Sequence, residues 1–188
     1  MLEVEVKYRV ADPDRVVAGL HALEAVLTEE RADEDHYFNA PDRDFKTTDE
    51  AFRLRRVGRD NWLTYKGPKR DAVTKTRTEI EVALAPGDQT AVATTRMLVS
   101  LGYRPVAVVR KRRAVYRVHH TGMPIEVCVD DVDRVGSFAE VEIVTDEAGY
   151  EEAKAAVLDL AAVLGLTDQE RRSYLEMLLA ARGAAEVP

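Results

Sequence analysis

Charged and apolar residues alternate along six separate stretches of this 188-residue chain. At the N-terminus, Glu3, Glu5 and Lys7 alternate with Val4 and Val6. Successive side chains of a β-strand point to opposite faces of the sheet, so this period of two predicts a strand with one charged and one apolar face. The same alternation recurs in five later stretches, at residues 52–55, 63–66, 77–82, 125–130 and 140–143.

Charged faces that recur over six strands can be explained in two ways. The simpler explanation is an antiparallel sheet with one face in water, which would suit any single strand. The residue types favour another explanation, because the polar positions are mostly Glu, Arg and Lys instead of the mixture with Thr, Ser and Gln that is usual on a solvated face. If the sheet closed on itself, these charges would share one interior, where they persist only when paired with one another, a metal or a polyanion.

The combination of acidic and basic residues on the same faces indicates a ligand for such an interior. Pairs of carboxylates, as in Glu3 with Glu5 and Glu140 with Glu142, supply the oxygen ligands that Mg²⁺ and Mn²⁺ prefer. Arginine, as at Arg53, is the base best suited to multidentate recognition of phosphate. Both sets together predict a site for a metal-complexed triphosphate.

Further elements follow from helical spacing and capping signals. Asp12 and Pro13 predict the start of a helix whose apolar residues continue to Leu27. Thr167 and Glu170 form the capping-box pattern of a later helix. The remaining predictions are helices at 88–101, 147–164 and 168–182, and strands at 35–38, 51–57, 62–66, 76–84, 106–118, 123–129 and 137–144. No repeat or linker divides the chain, so we predict a single α+β domain over residues 1–188, helical at its C-terminal end over 147–182.

Composition narrows the classes of partner. A net charge of -7 and a pI near 5.2 argue against binding to nucleic acid or to an anionic membrane surface. The single cysteine, Cys128, excludes an intramolecular disulfide, and neither a signal peptide nor a membrane-spanning apolar run is visible. We therefore expect a cytoplasmic protein with no nucleic-acid or membrane partner. The four histidines show no metal-ligand spacing.

The stretch from Glu3 to Lys7, Glu-Val-Glu-Val-Lys, resembles the Glu-x-Glu-x-Lys signature of the CYTH domain, or triphosphate tunnel, family. Eight further stretches resemble the family in order: 35–38, 52–55, 63–68, 77–81, 111–113, 129–130, 136–142 and 172–174. Within the family the chain is most similar to the class IV adenylyl cyclase branch, on the residues at 101–105, 111–116, 138–141 and 172–175.

The resemblance implies an antiparallel, eight-stranded, closed or nearly closed β tunnel with flanking helices. It also implies dependence on Mg²⁺ or Mn²⁺ and, in many members, a homodimer. By position, the implied metal ligands are Glu3, Glu5 and Glu140, with Asp130 and Glu142 as further candidates. The implied phosphate-binding residues are Lys7, Arg53, Arg55, Lys66, Arg77, Lys111 and Arg113. The residues expected to act in catalysis are Glu5, Lys111 and Glu140.

Two activities are compatible with the implied site. A class IV adenylyl cyclase would convert ATP to cyclic AMP and pyrophosphate, and a triphosphatase would release orthophosphate from an inorganic or organic (thiamine-type) triphosphate. A non-catalytic polyphosphate- or nucleotide-binding module is a third interpretation. Two residue roles also stay open: Glu79 and Glu81 could neutralise tunnel arginines or bind metal, and the basic run Arg110–Arg113 could bind phosphate or form a solvated or nucleic-acid-binding patch.

Overall fold

A computed structural model describes residues 2–70 and 73–185, and the side chains of these residues except 183–185. The strands are β1 Leu2–Arg9, β2 Val26–Asn39, β3 Ala51–Val57, β4 Asp60–Lys66, β5 Arg77–Leu84, β6 Arg104–His120, β7 Met123–Val132 and β8 Gly136–Thr145. The helices are α1 Pro13–Ala22, α2 Phe45–Thr48, α3 Asp88–Ser100, α4 Tyr150–Val163 and α5 Tyr174–Ala185. None of these helices is both long enough and apolar enough to span a lipid bilayer.

The strands close into an antiparallel barrel in the order β1-β5-β4-β3-β2-β6-β7-β8. The register sets Glu5 opposite Glu142 and Lys7 opposite Glu140 where β1 pairs with β8. Closure therefore turns the charged faces toward a shared interior, and the predicted eight-stranded closed tunnel is confirmed. Two residue pairs join β1 to β5 at the seam, after which the connection before β5 continues along β1.

The main hydrophobic core lies outside the barrel, between its outer surface and helices α1 and α4. Val6 of β1 and Val141 of β8 are fully buried there, together with Leu20 of α1 and with Val157 and Leu160 of α4. Burial of each such aliphatic side chain contributes about 1.5–3 kcal/mol to stability. A second apolar cluster lies between α3 and β3. Helices thus cover the apolar faces of β1, β8 and β3, and charged side chains line the interior.

The first helix ends earlier, and the second strand begins earlier, than the sequence pattern predicted. Helix α1 stops at Ala22 instead of Leu27, and the chain turns at Glu24, whose φ is 55°. Strand β2 begins at Val26 instead of Asp35 because its N-terminal half pairs with the long strand β6. Leu27 fits a helical spacing but is an exposed strand residue. The predicted bounds of the other strands agree within three residues.

The last helix was predicted over 168–182, but helix α5 begins only at Tyr174, so this prediction was wrong for residues 168–173. Asp168 and Glu170 instead bond to β1: the Arg9 N–H donates to the Asp168 carbonyl and the Glu170 N–H to the Lys7 carbonyl, each at 2.8 Å. Thr167 and Glu170 therefore form no capping box, because Glu170 is held in extended backbone.

Helix α5 begins with a capping box formed by Ser173 and Glu176, which the sequence analysis missed. The Ser173 hydroxyl accepts a hydrogen bond from the Glu176 N–H at 3.1 Å, and the Glu176 carboxylate accepts one from the Ser173 N–H at 2.6 Å. This reciprocal pair satisfies backbone donors at the helix start. Two competing cap signals lie six residues apart, and strand pairing to β1 decides between them.

Candidate functional site

The barrel encloses a cavity of about 430 Å³ to which all eight strands contribute side chains. With the exception of Asp130, every predicted site residue lines this cavity: Glu3, Glu5, Lys7, Arg53, Arg55, Lys66, Arg77, Lys111, Arg113, Glu140 and Glu142. Their roles follow from their contacts, which divide the cavity into an acidic cluster and a basic wall.

The acidic cluster consists of Glu3, Glu5 and Glu142. One carboxylate oxygen from each lies within 4.8 Å of the others. Burial and the neighbouring Glu3 raise the pKa of Glu142 to about 8, against the opposing effect of Arg113. The cluster thus holds more carboxylates than the surrounding cations neutralise, and a divalent ion with oxygen ligands would relieve this repulsion. These three residues fit such an ion.

Lys66 borders the acidic cluster and contacts two carboxylates. Its ammonium lies 2.6 Å from Glu3 Oε2 and 2.6 Å from Glu79 Oε2. Burial opposes ionisation of Glu79, but Lys66 outweighs it and lowers the pKa of this carboxyl. Glu81 accepts a hydrogen bond from the Thr64 hydroxyl at 3.0 Å. Glu79 therefore has the contacts of a counter-ion.

Glu140 stands apart from the acidic cluster although it was expected among the metal ligands. Its carboxylate pairs with the Arg113 guanidinium and lies 4.0 Å from the Lys75 ammonium. Burial alone would raise the pKa of Glu140, but Arg113 and Lys75 hold it well below its usual value. Glu140 is positioned by cations, whereas Glu142 lies with Glu3 and Glu5.

The basic wall consists of Arg53, Arg55, Arg77, Lys111 and Arg113. Buried aspartates contact several of these cations on the side away from the cavity. Asp35 accepts hydrogen bonds from Arg55 Nε at 2.7 Å and Nη2 at 2.8 Å, and from Arg53 Nη1 at 3.2 Å. Asp33 Oδ2 lies 3.6 Å from Lys111 Nζ and 3.7 Å from Arg55 Nη2. Two-point bonding to a carboxylate fixes the plane of a guanidinium. The aspartates therefore orient the cations that face the cavity.

Asp130 performs the same positioning on the neighbouring strand pair, which explains why it does not line the cavity. It is fully buried and accepts hydrogen bonds from Arg113 Nε at 2.7 Å and Nη2 at 2.6 Å. The Tyr174 hydroxyl donates a further bond at 2.8 Å. Burial opposes ionisation of Asp130, but Arg113 and Lys111 outweigh it and lower its pKa.

Two guanidinium nitrogens in the cavity wall are buried without an acceptor. Within the described part of the chain, neither Arg53 Nε nor Arg77 Nε has a hydrogen-bond partner. A buried donor left unsatisfied costs about 1–3 kcal/mol, a cost that a water or an anion at that position would offset. Both arginines line the cavity, and an anion with several oxygens would supply the missing acceptors.

The basic run from Arg110 to Arg113 divides between the two faces of β6, as alternation predicts. Lys111 and Arg113 are buried and line the cavity. Arg110 and Arg112 point outward, where Arg110 Nε lies 2.7 Å from Glu34 and Arg112 pairs with Asp131. The run is therefore not a continuous outer patch.

Lys7 belongs to the charged interior and contacts the segment before α5. Its ammonium donates to the Arg172 carbonyl at 2.5 Å and lies 4.1 Å from the centre of the Tyr174 ring. Burial and the nearby Lys75 lower the pKa of Lys7 to about 7. Tyr174 connects the last helix to the barrel through its hydrogen bond to Asp130, and it also lines the cavity.

Sequence reasoning missed Asp33 and Lys75, and it saw Asp35 only as part of a family-like stretch. Asp33 continues the charged alternation of β2, and it was missed because the strand was predicted to start at Asp35. Lys75 is two residues before Arg77 and so continues the spacing of Arg77, Glu79 and Glu81, but it was missed because it lies in the connection before β5, ahead of the predicted strand. Its 2.5 Å contact with Glu5 depends on the path of that connection.

The family profile of the CYTH domain matches residues 1–174 of the chain. The adenylate cyclase CyaB of Aeromonas hydrophila is 35% identical over 92% of this chain and 86% of its own length. Among solved structures, the PH1819 protein of Pyrococcus horikoshii has a TM-score of 0.83 and 36% identity, covering 95% of this chain and 98% of its own.

A protein of Hippeastrum described as having a dominant triphosphatase activity shares the fold, with a TM-score of 0.64 and 17% identity over 99% of this chain and 98% of its own. Three findings support the same family: the eight-stranded tunnel, its charged interior and the match over residues 1–174. The chain belongs to the CYTH domain family.

Proposed function

We propose that the tunnel binds a triphosphate complexed with Mg²⁺ or Mn²⁺ and acts on it as a class IV adenylyl cyclase. The observation that carries this proposal is the presence, in one cavity, of a carboxylate cluster short of cations and an arginine wall with unsatisfied donors. The similarity to a named adenylate cyclase over most of both chains supports the choice of reaction.

Glu3, Glu5 and Glu142 would hold the divalent ion, since their oxygens already converge and since burial and the neighbouring Glu3 raise the pKa of Glu142. When bound, the ion would neutralise phosphate charge and favour ionisation of a nearby hydroxyl. Glu140 would contribute indirectly by holding Arg113.

The basic wall would bind the phosphate chain and stabilise the charge that develops during reaction. Arg53 and Arg77 each have an unsatisfied Nε for a phosphate oxygen. Arg55 and Arg113 are fixed by Asp35 and Asp130 before any ligand binds. Such preorganised donors need little rearrangement, which is how a binding site lowers a reaction barrier.

In the cyclase reaction, the ribose 3′-oxygen of ATP bonds to the α-phosphorus and the bond from that phosphorus to pyrophosphate breaks. Glu5, in the acidic cluster, would accept the hydroxyl proton. Lys111 and Arg113 would stabilise the negative charge gained by the leaving pyrophosphate. Both are buried, so their interaction with that charge is weakly screened by water.

Hydrolysis of a triphosphate is the second candidate, and Glu142 is the observation that favours it. Its carboxylate lies with those of Glu3 and Glu5, where it could orient a water for attack on the terminal phosphorus, with release of orthophosphate. The basic wall would bind the same phosphates in either reaction.

Product identification separates the two candidates. The protein is incubated with ATP and, separately, with inorganic triphosphate, each with Mg²⁺ or Mn²⁺. Cyclic AMP and pyrophosphate from ATP support the cyclase, and orthophosphate from either compound supports the triphosphatase. Binding of both compounds without any product would contradict an enzymatic function and leave a binding module.

A further inference from the structure

The first side chain of helix α5 reaches the charged interior of the barrel. Tyr174 is buried, and its ring lies 5.1 Å from the ring of Phe138 on β8. Met177 and Leu178, one turn further along α5, belong to the same apolar cluster. This packing fixes the position of the ring, which lines the cavity.

Two lysines of the interior share the Tyr174 ring. Lys7 Nζ, from β1, lies 4.1 Å from the ring centre, and Lys111 Nζ, from β6, lies 5.3 Å from it. An ammonium within about 6 Å of an aromatic ring centre is attracted by the negative face of the ring, and more strongly where water is excluded. Burial lowers the pKa of both lysines. The ring therefore favours the charged forms, which are the forms that bind phosphate.

The Tyr174 hydroxyl reaches a third cation through Asp130. It donates a hydrogen bond to Asp130 Oδ2 at 2.8 Å. The same oxygen accepts a bond from Arg113 Nη2 at 2.6 Å and lies 3.4 Å from Lys111 Nζ. One side chain thus contacts two cations directly and holds the carboxylate that orients a third.

A purely structural role for Tyr174 would need only its apolar contacts with Phe138 and the rest of the cluster. Its polar contacts instead join helix α5 to cations on two separate strands, β1 and β6. We propose that Tyr174 is a positioning residue for phosphate recognition. Its ring holds the ammoniums of Lys7 and Lys111 in place for a bound triphosphate. Its hydroxyl does the same for Arg113 by way of Asp130. The inference rests on the proposed function for the binding of a triphosphate in the tunnel.

Two calorimetric titrations of the full chain test this inference. Inorganic triphosphate in metal-free buffer probes the basic side of the interior. Mn²⁺ without triphosphate probes the acidic cluster and reports whether the tunnel as a whole is intact. A positioning role predicts loss of triphosphate affinity with Mn²⁺ affinity retained, whereas a general structural defect would lower both.

The variants separate the ring of Tyr174 from its hydroxyl. Tyr174→Phe keeps the ring and removes the bond to Asp130, and Tyr174→Leu removes both but keeps an apolar side chain. Tyr150→Leu is the matched control. Tyr150 is also the first residue of a helix, α4, and its ring lies 5.7 Å from Arg70 and 5.5 Å from Lys154, but it does not line the cavity.

We expect Tyr174→Phe to weaken triphosphate binding by about 2- to 10-fold, the usual effect of losing one hydrogen bond. Tyr174→Leu should weaken it by roughly 10- to 100-fold, because the contacts of the ring with both ammoniums are lost as well. Tyr150→Leu should bind triphosphate as the wild type does. All three variants should bind Mn²⁺ within about twofold of the wild type, a change of less than about 0.5 kcal/mol.

Equal triphosphate affinity in Tyr174→Leu and Tyr150→Leu would overturn the inference and leave the proposed function standing. Parallel losses of triphosphate and Mn²⁺ affinity in Tyr174→Leu would overturn it too, since they indicate a structural role. If Tyr174→Leu does not fold, the test passes to Tyr174→Phe, where unchanged triphosphate affinity is the overturning result. A wild type that binds neither triphosphate nor Mn²⁺ would overturn the proposed function together with the inference.

Discussion

Asp35 lies directly behind Arg55 in the tunnel wall and accepts two of its hydrogen bonds, at 2.7 and 2.8 Å. The guanidinium is thereby oriented before a ligand arrives. We expect Arg55→Ala to weaken binding of ATP and of inorganic triphosphate by roughly 10- to 150-fold, which corresponds to about 1.5–3 kcal/mol for a hydrogen bond to a charged group. Calorimetric titration in the presence of Mn²⁺ measures this.

Arg112→Ala is the matched control for this measurement. Arg112 pairs with Asp131 on the outer face of the barrel and is exposed. Its removal changes the net charge by the same amount but should leave both dissociation constants unchanged. Equal weakening by Arg55→Ala and Arg112→Ala would show that general charge, and no specific wall contact, accounts for binding.

The raised pKa of Glu142 predicts a dependence of stability on pH. A free glutamate carboxyl ionises near pH 4.5, whereas that of folded Glu142 ionises at about 8. The stability that this group contributes is therefore complete below about pH 4.5 and is lost as the pH rises through about 8. In metal-free buffer, the melting temperature of Glu142→Gln should fall less than that of the wild type between about pH 6 and pH 9.

Metal should reverse this loss, because binding needs the ionised carboxylate. We expect Mg²⁺ to raise the melting temperature of the wild type more at about pH 8.5 than at about pH 6, and to have little effect on Glu142→Gln. If the wild type and the variant lost the same stability over this pH range, the carboxylate crowding inferred at Glu3, Glu5 and Glu142 would be wrong.

Glu142 also distinguishes the two candidate reactions. If hydrolysis is the native activity, Glu142→Ala should reduce triphosphate cleavage by about 10²-fold or more, the usual effect of losing an acid–base group. If cyclisation is native, the loss should be smaller, since the nucleophile is a tethered hydroxyl and no water needs orienting. Both rates are measured on one preparation. Loss of cyclisation with hydrolysis intact would contradict both expectations.

The start of the last helix gives a test that concerns the fold alone. Ser173→Ala removes the side chain that caps α5 and should lower the free energy of unfolding by about 0.5–2 kcal/mol. Thr167→Ala alters the competing capping-box pattern, but Thr167 is exposed and precedes an extended segment. We expect almost no change there. Denaturant titration compares the two variants, and an equal loss in both would contradict the observed helix boundary.

The tunnel and most of its lining could be predicted from sequence because residues two apart in a strand lie on the same face of the sheet. Glu5 and Glu142, far apart in sequence, were both assigned inward by this period before their pairing was known. Alternation alone is compatible with either a flat sheet or a closed barrel. The family resemblance favoured the closed barrel. Strand bounds agreed well wherever the alternation spanned the whole strand.

The errors occurred where long-range pairing overrides local pattern. Leu27 has helical spacing, yet it lies in strand β2 and pairs with β6. Glu170 has a capping position, yet the Lys7 carbonyl of β1 accepts its N–H. Lys75 lies before the predicted strand, and its contact with Glu5 depends on a connection that folds along β1. Local sequence cannot supply any of these three contacts, because each is set by a partner distant in the chain.

A crystal structure with Mn²⁺ and a non-reactive ATP analogue tests the central claim most directly. The account predicts phosphate oxygens within hydrogen-bond distance of Arg53 and Arg77, and Mn²⁺ bound by the carboxylates of Glu3, Glu5 and Glu142. An analogue bound on the outer surface of the barrel, with no phosphate or metal in the tunnel, would contradict it.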